Sequence, residues 1–324
     1  MKVNRMQSSI LNEILKNVST IAIGGHIRPD GDCVGSVMSM YLYLTENYKN
    51  IKVDAYLEDF SDTFLFIHNI SNIKHEITTK ETYDLFICLD CGDIDRLGFS
   101  TELFKNAKNT LCIDHHISND SFATTNYIFP DASSTCELVF DLFEKKKISK
   151  YTAESLYLGL VHDTGVFQYS NVSSSTLEAA AFLIKLDINA SKIINDTFYA
   201  KTFIQNKILG RVLADSFLML DGKIIVGIVS TDIMKEYDVK PKDLDGIVSQ
   251  LNVTKGVELA IFMYELSDGE YKVSLRSSDK IDANMIAGYF GGGGHQKAAG
   301  FSMVGDSLDI VSNITKFACE QLGC

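Results

Sequence analysis

Four short segments, far apart along the chain, carry the residue types that hold divalent cations. His26-Ile27-Arg28-Pro29-Asp30-Gly31-Asp32 offers an imidazole and two carboxylates in one loop. Asp90 closes the apolar run from Tyr83, and Asp114-His115-His116 closes the run from Thr110. Asp163 lies in Gly159-Leu160-Val161-His162-Asp163-Thr164-Gly165. Any one of these alone reads as a turn or a cap, and Asp32 ahead of Cys33-Val34-Gly35 reads locally as a helix N-cap. Together, four carboxylates repel unless cations sit among them, and two divalent metals are the natural counter-charge. Aspartate with some imidazole suits Mn2+ (Mg2+ and Co2+ being the alternatives) better than structural zinc, which favours thiolate. Paired cations about 3.5–4 Å apart are a common device for attacking phosphate esters.

For these segments to meet, the elements before them must end at one edge. Ser19 to Gly25, Ile51 to Leu57, Tyr83 to Asp90 and Thr110 to His115 read as strands, the third nearly all apolar and so covered on both faces. Helical spacing is expected over 33–48, 64–70, 134–147, 153–162 and 176–186. Strand–helix alternation implies βαβ units and an α/β fold with a mostly parallel, doubly wound sheet. Ligands of such sheets bind beyond the carboxyl ends of the strands, where the acidic clusters fall.

The pattern changes after residue 187. The segment 188–214 looks helical and is expected as a linker between a catalytic domain, 1–187, and a smaller domain, 215–324. The latter shows hairpins: 217–220 with 223–229 around Asp221-Gly222, and 259–266 with 270–275 around Ser267-Asp268-Gly269. With helices at 241–251, 283–290 and 307–321 it reads as α+β with a mixed sheet.

Forty-two acidic against 30 basic residues give a net charge of −12. That argues against coating long nucleic acid or an anionic membrane, both of which need a basic footprint. It leaves room for a small phosphorylated substrate, since two divalent cations would bring positive charge to where phosphate arrives. No apolar run approaches a membrane span, and Met1 to Asn17 lacks the core of a secretory signal, so the cytoplasm is expected. Seven cysteines, an odd number, make no disulfide framework. Cys88 and Cys91 form a C-x-x-C, but positions three apart on a strand face opposite sides, so they read as small core residues.

The residues 26–36 resemble the first motif of the DHH phosphoesterase superfamily, Asp90 in Leu89-Asp90-Cys91-Gly92-Asp93 its second, Asp114-His115-His116 its third and Asp163 its fourth. The resemblance implies one cation on His26, Asp30 and Asp90, and another on Asp32, Asp90, His115 and Asp163, with Asp90 shared. It implies in-line attack on phosphorus, His116 facing the substrate phosphate, and Asp114 orienting its neighbours. His68, His75 and His162 are expected outside the site, and Asp93 and Asp95 as turn or cap groups. Gln168 stands where many relatives carry arginine.

Gly291-Gly292-Gly293-Gly294-His295-Gln296-Lys297 is neither a Walker loop nor a Rossmann turn, and its consecutive glycines could line an anion-binding concavity. It resembles the glycine-rich histidine motif of the DHH-associated domain, unlike the basic motif of family II inorganic pyrophosphatases. Substrate contacts are therefore expected from Gly292, Gly293, Gly294, His295 and Arg276, with Lys297 and Arg96 as further phosphate contacts. A surface salt bridge is the alternative for Arg96. Length and domain order resemble the stand-alone nanoRNase and pAp-phosphatase group. The implied substrates are short single-stranded RNA fragments, pAp, and linear or cyclic dinucleotides. A homodimer is compatible with this reading.

Overall fold

A computed structural model describes residues 8–78, 82–267 and 269–324, without the side chains of Ser8 and His295. Asp268, expected in the second hairpin turn, lies outside the described residues. The chain forms two compact units, Met1–Ala200 and Lys201–Cys324.

The first unit runs α1(Ser8–Ile14), β1(Thr20–Gly24), α2(Gly31–Asn47), β2(Lys52–Tyr56), β3(Leu85–Leu89), α3(Thr101–Asn106), β4(Asn109–Asp114), β5(Thr125–Ile128), α4(Thr135–Leu142), α5(Lys150–Asp163), α6(Ser174–Ile184) and α7(Ala190–Ile194). All five strands are parallel, in the order β2-β1-β3-β4-β5. One face packs on α2, α4 and α5 through Val34, Met38, Leu138 and Leu156. On the other, Phe86 of β3 packs against Leu97, Leu103 and Phe104. Burial on both faces explains why β3 carries no polar residue. The order reverses between β1 and β3: the chain leaves β1 toward β2 and returns on the far side. A crevice opens at such a switch point, and register aligns the two strand ends there, Gly24 beside Cys88.

Helix α2 begins earlier than expected. Asp30 is its N-cap and accepts the Asp32 and Cys33 N–H groups, both at 3.1 Å. Asp32 is therefore a first-turn residue, not the cap. The single helix expected over 64–70 is replaced by 3-10 turns at Asp62–Phe64 and Ile70–Asn72. The expected linker is divided between the units. Ile193 packs in the first, then a π-helical turn spans Asn195–Tyr199, and α8(Phe203–Asp215) packs Ile208 and Val212 in the second.

The second unit continues with β6(Phe217–Met219), β7(Ile224–Val229), α9(Thr231–Tyr237), α10(Ile247–Asn252), β8(Leu259–Ser267), β9(Glu270–Ser277), α11(Ala283–Tyr289), β10(Gly293–His295), β11(Ala298–Val304) and α12(Ser307–Leu322). Its six-stranded sheet is mixed: β7 and β8 are parallel and the other pairs antiparallel. Both expected hairpins form. The first closes with a four-residue loop, because Met219 pairs with Ile224. Gly246 in the left-handed region interrupts the helix expected over 241–251. No described helix is long and apolar enough to cross a membrane.

Candidate active site

The strand ends and helix α5 bring six of the expected ligands into one cluster. His26 Nε2 lies 3.5 Å from Asp90 Oδ2 and 3.7 Å from Asp30 Oδ1. His115 Nε2 lies 3.0 Å from Asp163 Oδ2, 3.6 Å from Asp90 Oδ1 and 3.9 Å from Asp32 Oδ2. Asp90 thus lies next to both histidines, one from each half of the cluster. It is buried and has left-handed backbone, φ 56°. That bend ends β3 and also carries Cys91 into the same buried cluster as Cys88 and Cys112. The pair does not face opposite sides, because the strand stops between them, but it is core as expected.

Two observations show that the donors suit a cation. First, Asp32 is fully buried, and both its oxygens accept backbone N–H groups from the start of α4, Thr135 at 2.6 Å and Cys136 at 2.9 Å. An anion is favoured there by the helix dipole. Second, the carboxylates are crowded. Burial, and then the charges of Asp90 and Asp163, push Asp32 well above the usual carboxylate range. Burial also raises Asp163, against the opposing hydrogen bond from His115. Burial alone would lower His26, yet hydrogen bonds to Asp30 and Asp90 outweigh it and push the imidazole up to about 11. Protonated imidazole supplies positive charge that a divalent cation would supply better.

Thr135 completes the pocket by donating its hydroxyl to Asp90 Oδ1 at 3.0 Å. Two residues on, buried Glu137 ties the start of the same helix by accepting from the Ser133 N–H at 3.0 Å and the Thr176 hydroxyl at 2.8 Å. Neither Thr135 nor Glu137 was expected. Their only signal is the Ser134-x-x-Glu137 spacing, which marks a helix start rather than a site.

His116 Nδ1 pairs with Asp114 Oδ1 at 2.7 Å. Asp114 is buried and also accepts from the His115 N–H at 2.9 Å and the Asn119 amide at 2.8 Å. Burial would raise this carboxyl, but the His116 hydrogen bond outweighs it and holds it low. An anionic Asp114 places the ring proton of His116 on Nδ1. Asp114→Asn keeps shape but loses this hold. Turnover should fall about 10–100-fold, with thermal stabilisation by Mn2+ nearly unchanged in a melting assay.

The remaining residues sort as follows. His162 hydrogen-bonds Thr197 at 3.0 Å, His68 stacks on Tyr151, and the His75 ring meets the Leu57 carbonyl, so none joins the cluster. Asp93 caps a 3-10 turn by accepting the Asp95 N–H. Arg96 lies in that turn, and its carbonyl accepts the Ile27 N–H at 2.7 Å, which fixes it beside the His26 loop. It makes no ion pair among the described residues. Gln168 is exposed on a turn after Asp163 in which Gly165, Val166 and Phe167 are all left-handed.

In the second unit the glycine run becomes edge strand β10, joined to β11 by the two-residue turn Gln296-Lys297. The glycines permit close packing: a Cβ on Gly294 would meet the Ala298 carbonyl at 2.4 Å. The Gly292 N–H is used internally, donating to the Ala287 carbonyl. Register sets Arg276, Ala298 and His295 in one row across three strands, and the His295 side chain is outside the described residues. Lys297 pairs with exposed Asp279 at 2.6 Å, a surface contact of small energy.

The sequence profile of the DHH family, N-terminal domain, matches residues 20–160, and that of the DHHA1 domain matches residues 221–322. A Bacillus subtilis protein named bifunctional oligoribonuclease and PAP phosphatase NrnA is 26% identical over 320 residues, covering 95% of this chain and 98% of its own. A Mycoplasma genitalium protein of the same name is 29% identical over 309 residues, covering 93% and 95%. The crystal structure of an exopolyphosphatase-related protein from Bacteroides fragilis shares the fold, with a TM-score of 0.90 at 24% identity over 99% of both chains. Profile matches and strand-end clusters coincide: the chain carries an N-terminal domain of the DHH family followed by a DHHA1 domain.

Proposed function

We propose that this protein is a metal-dependent phosphodiesterase that hydrolyses short oligoribonucleotides to 5′-mononucleotides and removes the 3′-phosphate of pAp. The observation that carries the reading is the convergence of Asp32, Asp90, His115 and Asp163, from four separate segments, on one partly closed cluster. His26, Asp30 and Asp90 would hold one divalent cation, and Asp32, Asp90, His115 and Asp163 the other. Bound Mn2+ would lower the pKa of water and neutralise charge on phosphate. The chain itself supplies the rest. Asp32 is fixed by the start of α4 and Asp90 by Thr135, and His116, paired with Asp114, would give a proton to the departing oxygen. In the first unit Arg96 is the candidate phosphate contact; in the second, taken by itself, Arg276, His295, Lys297 and the backbone of Gly293 and Gly294 are the candidate phosphate-binding groups. The two relatives' names support this substrate class.

The test is a panel of 5′-phosphorylated RNA trimers, pAp, pApA and cyclic dinucleotide, each with Mn2+, Mg2+ and Co2+. Release of mononucleotide from trimers and of phosphate from pAp, fastest with Mn2+, is the expected outcome. A protein that cleaves pApA or cyclic dinucleotide but leaves trimers and pAp intact belongs instead to dinucleotide signalling. One that cleaves none of them is not a phosphodiesterase of this class.

A further inference from the structure

We propose that Cys33 is a thiolate ligand to the cation held by His26 and Asp90, which makes that position softer than its neighbour. The inference rests on the metal-dependent reading above and deepens it. The Cys33 sulfur, a ring nitrogen of His26 and a carboxylate oxygen of Asp90 all lie within 4.8 Å of one another, and all three residues are buried. Two other trios of comparable closeness, Asp32–His115–Asp163 and Asp90–His115–His116, contain only nitrogen and oxygen donors.

The surroundings favour ligation. His26 Nδ1 is turned to the Ile27 carbonyl at 2.8 Å, which leaves Nε2 as the nitrogen facing Asp90. The Cys33 N–H is fastened to Asp30 Oδ1, so the thiol sits in the first turn of α2, directly after the His26–Asp30 loop. Its S–H has one weak partner, the His26 carbonyl at 3.9 Å, which costs little to give up. On binding, the S–H bond breaks, the proton passes to solvent and a sulfur–metal bond forms; no electron changes hands. Thiolate in place of a fourth hard donor shifts preference from Mn2+ toward Co2+, Zn2+ and Cd2+ at this position alone.

The test loads metal-free full-length protein with Co2+ alone, in a Cys319→Ser/Cys324→Ser background so that the two more accessible thiols do not contribute. Visible ligand-field bands report cobalt in the cluster, and a near-ultraviolet sulfur-to-cobalt charge-transfer band reports the thiolate. Both are expected, and Cys33→Ser should lose only the second. Cd2+ affinity should then fall at least about tenfold, with Mn2+ binding at the other position retained. Visible bands without charge transfer, or charge transfer that survives Cys33→Ser, overturn the assignment of Cys33 and leave the metal site standing. No cobalt bands at all overturn both. Should Cys33→Ser fold poorly, the 113Cd chemical shift of the background protein decides by itself: a downfield thiolate position supports the proposal, and an all-oxygen-and-nitrogen position refutes it.

Discussion

Asp90→Asn is expected to lower turnover by at least about a thousandfold, the scale of losing a directly acting charge-stabilising group. The side chain faces His26, His115 and His116 at 3.5–3.8 Å and is the one carboxylate common to both halves of the cluster. Asparagine keeps the shape and can still accept the Thr135 hydroxyl, so circular dichroism should be unchanged. The sharper readout is thermal. At a Mn2+ concentration about a hundred times its Kd, a bound ion stabilises the folded state by about 2.7 kcal/mol. For a unit of this size that raises Tm by about 5–10 °C. The unaltered protein should show the shift and Asp90→Asn should not. A variant that keeps both shift and turnover removes Asp90 from the site.

The second large effect is expected at a residue with no side chain at all. Gly159 lies on α5 where it crosses α2 and α4, and a Cβ there would stand 2.4 Å from Asp32 Oδ1 and 2.2 Å from the Cys136 sulfur. Both obstacles are fully buried, so neither can swing into solvent. Alanine would gain up to about 1 kcal/mol of helix propensity, but overpacking of this kind costs about 1–3 kcal/mol or more. The balance predicts Gly159→Ala to lower Tm by several degrees and to displace Asp32 from the α4 N-terminus, with loss of most activity. Adding Cys136→Ala removes the sulfur clash and not the one with Asp32. The double variant should therefore regain part of the stability and none of the turnover, and full recovery of activity would show that Asp32 does not move.

These contacts also show how much was legible in the residues alone. The strands β3 and β4 are apolar runs ending at Asp90 and Asp114, and β1 leads into the His26 loop, so both their existence and the chemistry at their ends could be read. Strand β5 was missed because Thr125 is polar and exposed and Asn126 polar and half-buried at the sheet edge, leaving no run to see. Strand β10 was missed for the opposite reason: glycine has no side chain with which to alternate. At the site, charged and imidazole residues were visible because their types are rare in such runs. Thr135 and Glu137 were invisible because a threonine and a glutamate at a helix start look like caps. What turns them toward Asp90 and the Ser133 loop is the packing of α4 against the sheet, which no local spacing encodes. The same holds for Asp30 and Asp32, whose capping and core roles exchange once α2 starts one residue before Asp32.

The left-handed turn after Asp163 has an evolutionary side. An L-residue in that conformation costs roughly 1–2 kcal/mol, and a β-branched one is the least suited to it. Glycine or asparagine would relieve Val166 and Phe167, so drift under selection for stability alone should favour them. Both side chains pack against the core of the first unit, and the turn is tied by hydrogen bonds from the Val166, Phe167 and Gln168 N–H groups back to Val161 and Thr164. Positions 166 and 167 are therefore where a lineage can trade robustness for the placing of an acid. Substitutions elsewhere that add a little stability would widen the range of residues tolerated there, and with it the range of side chains that position 168 can present beside the site.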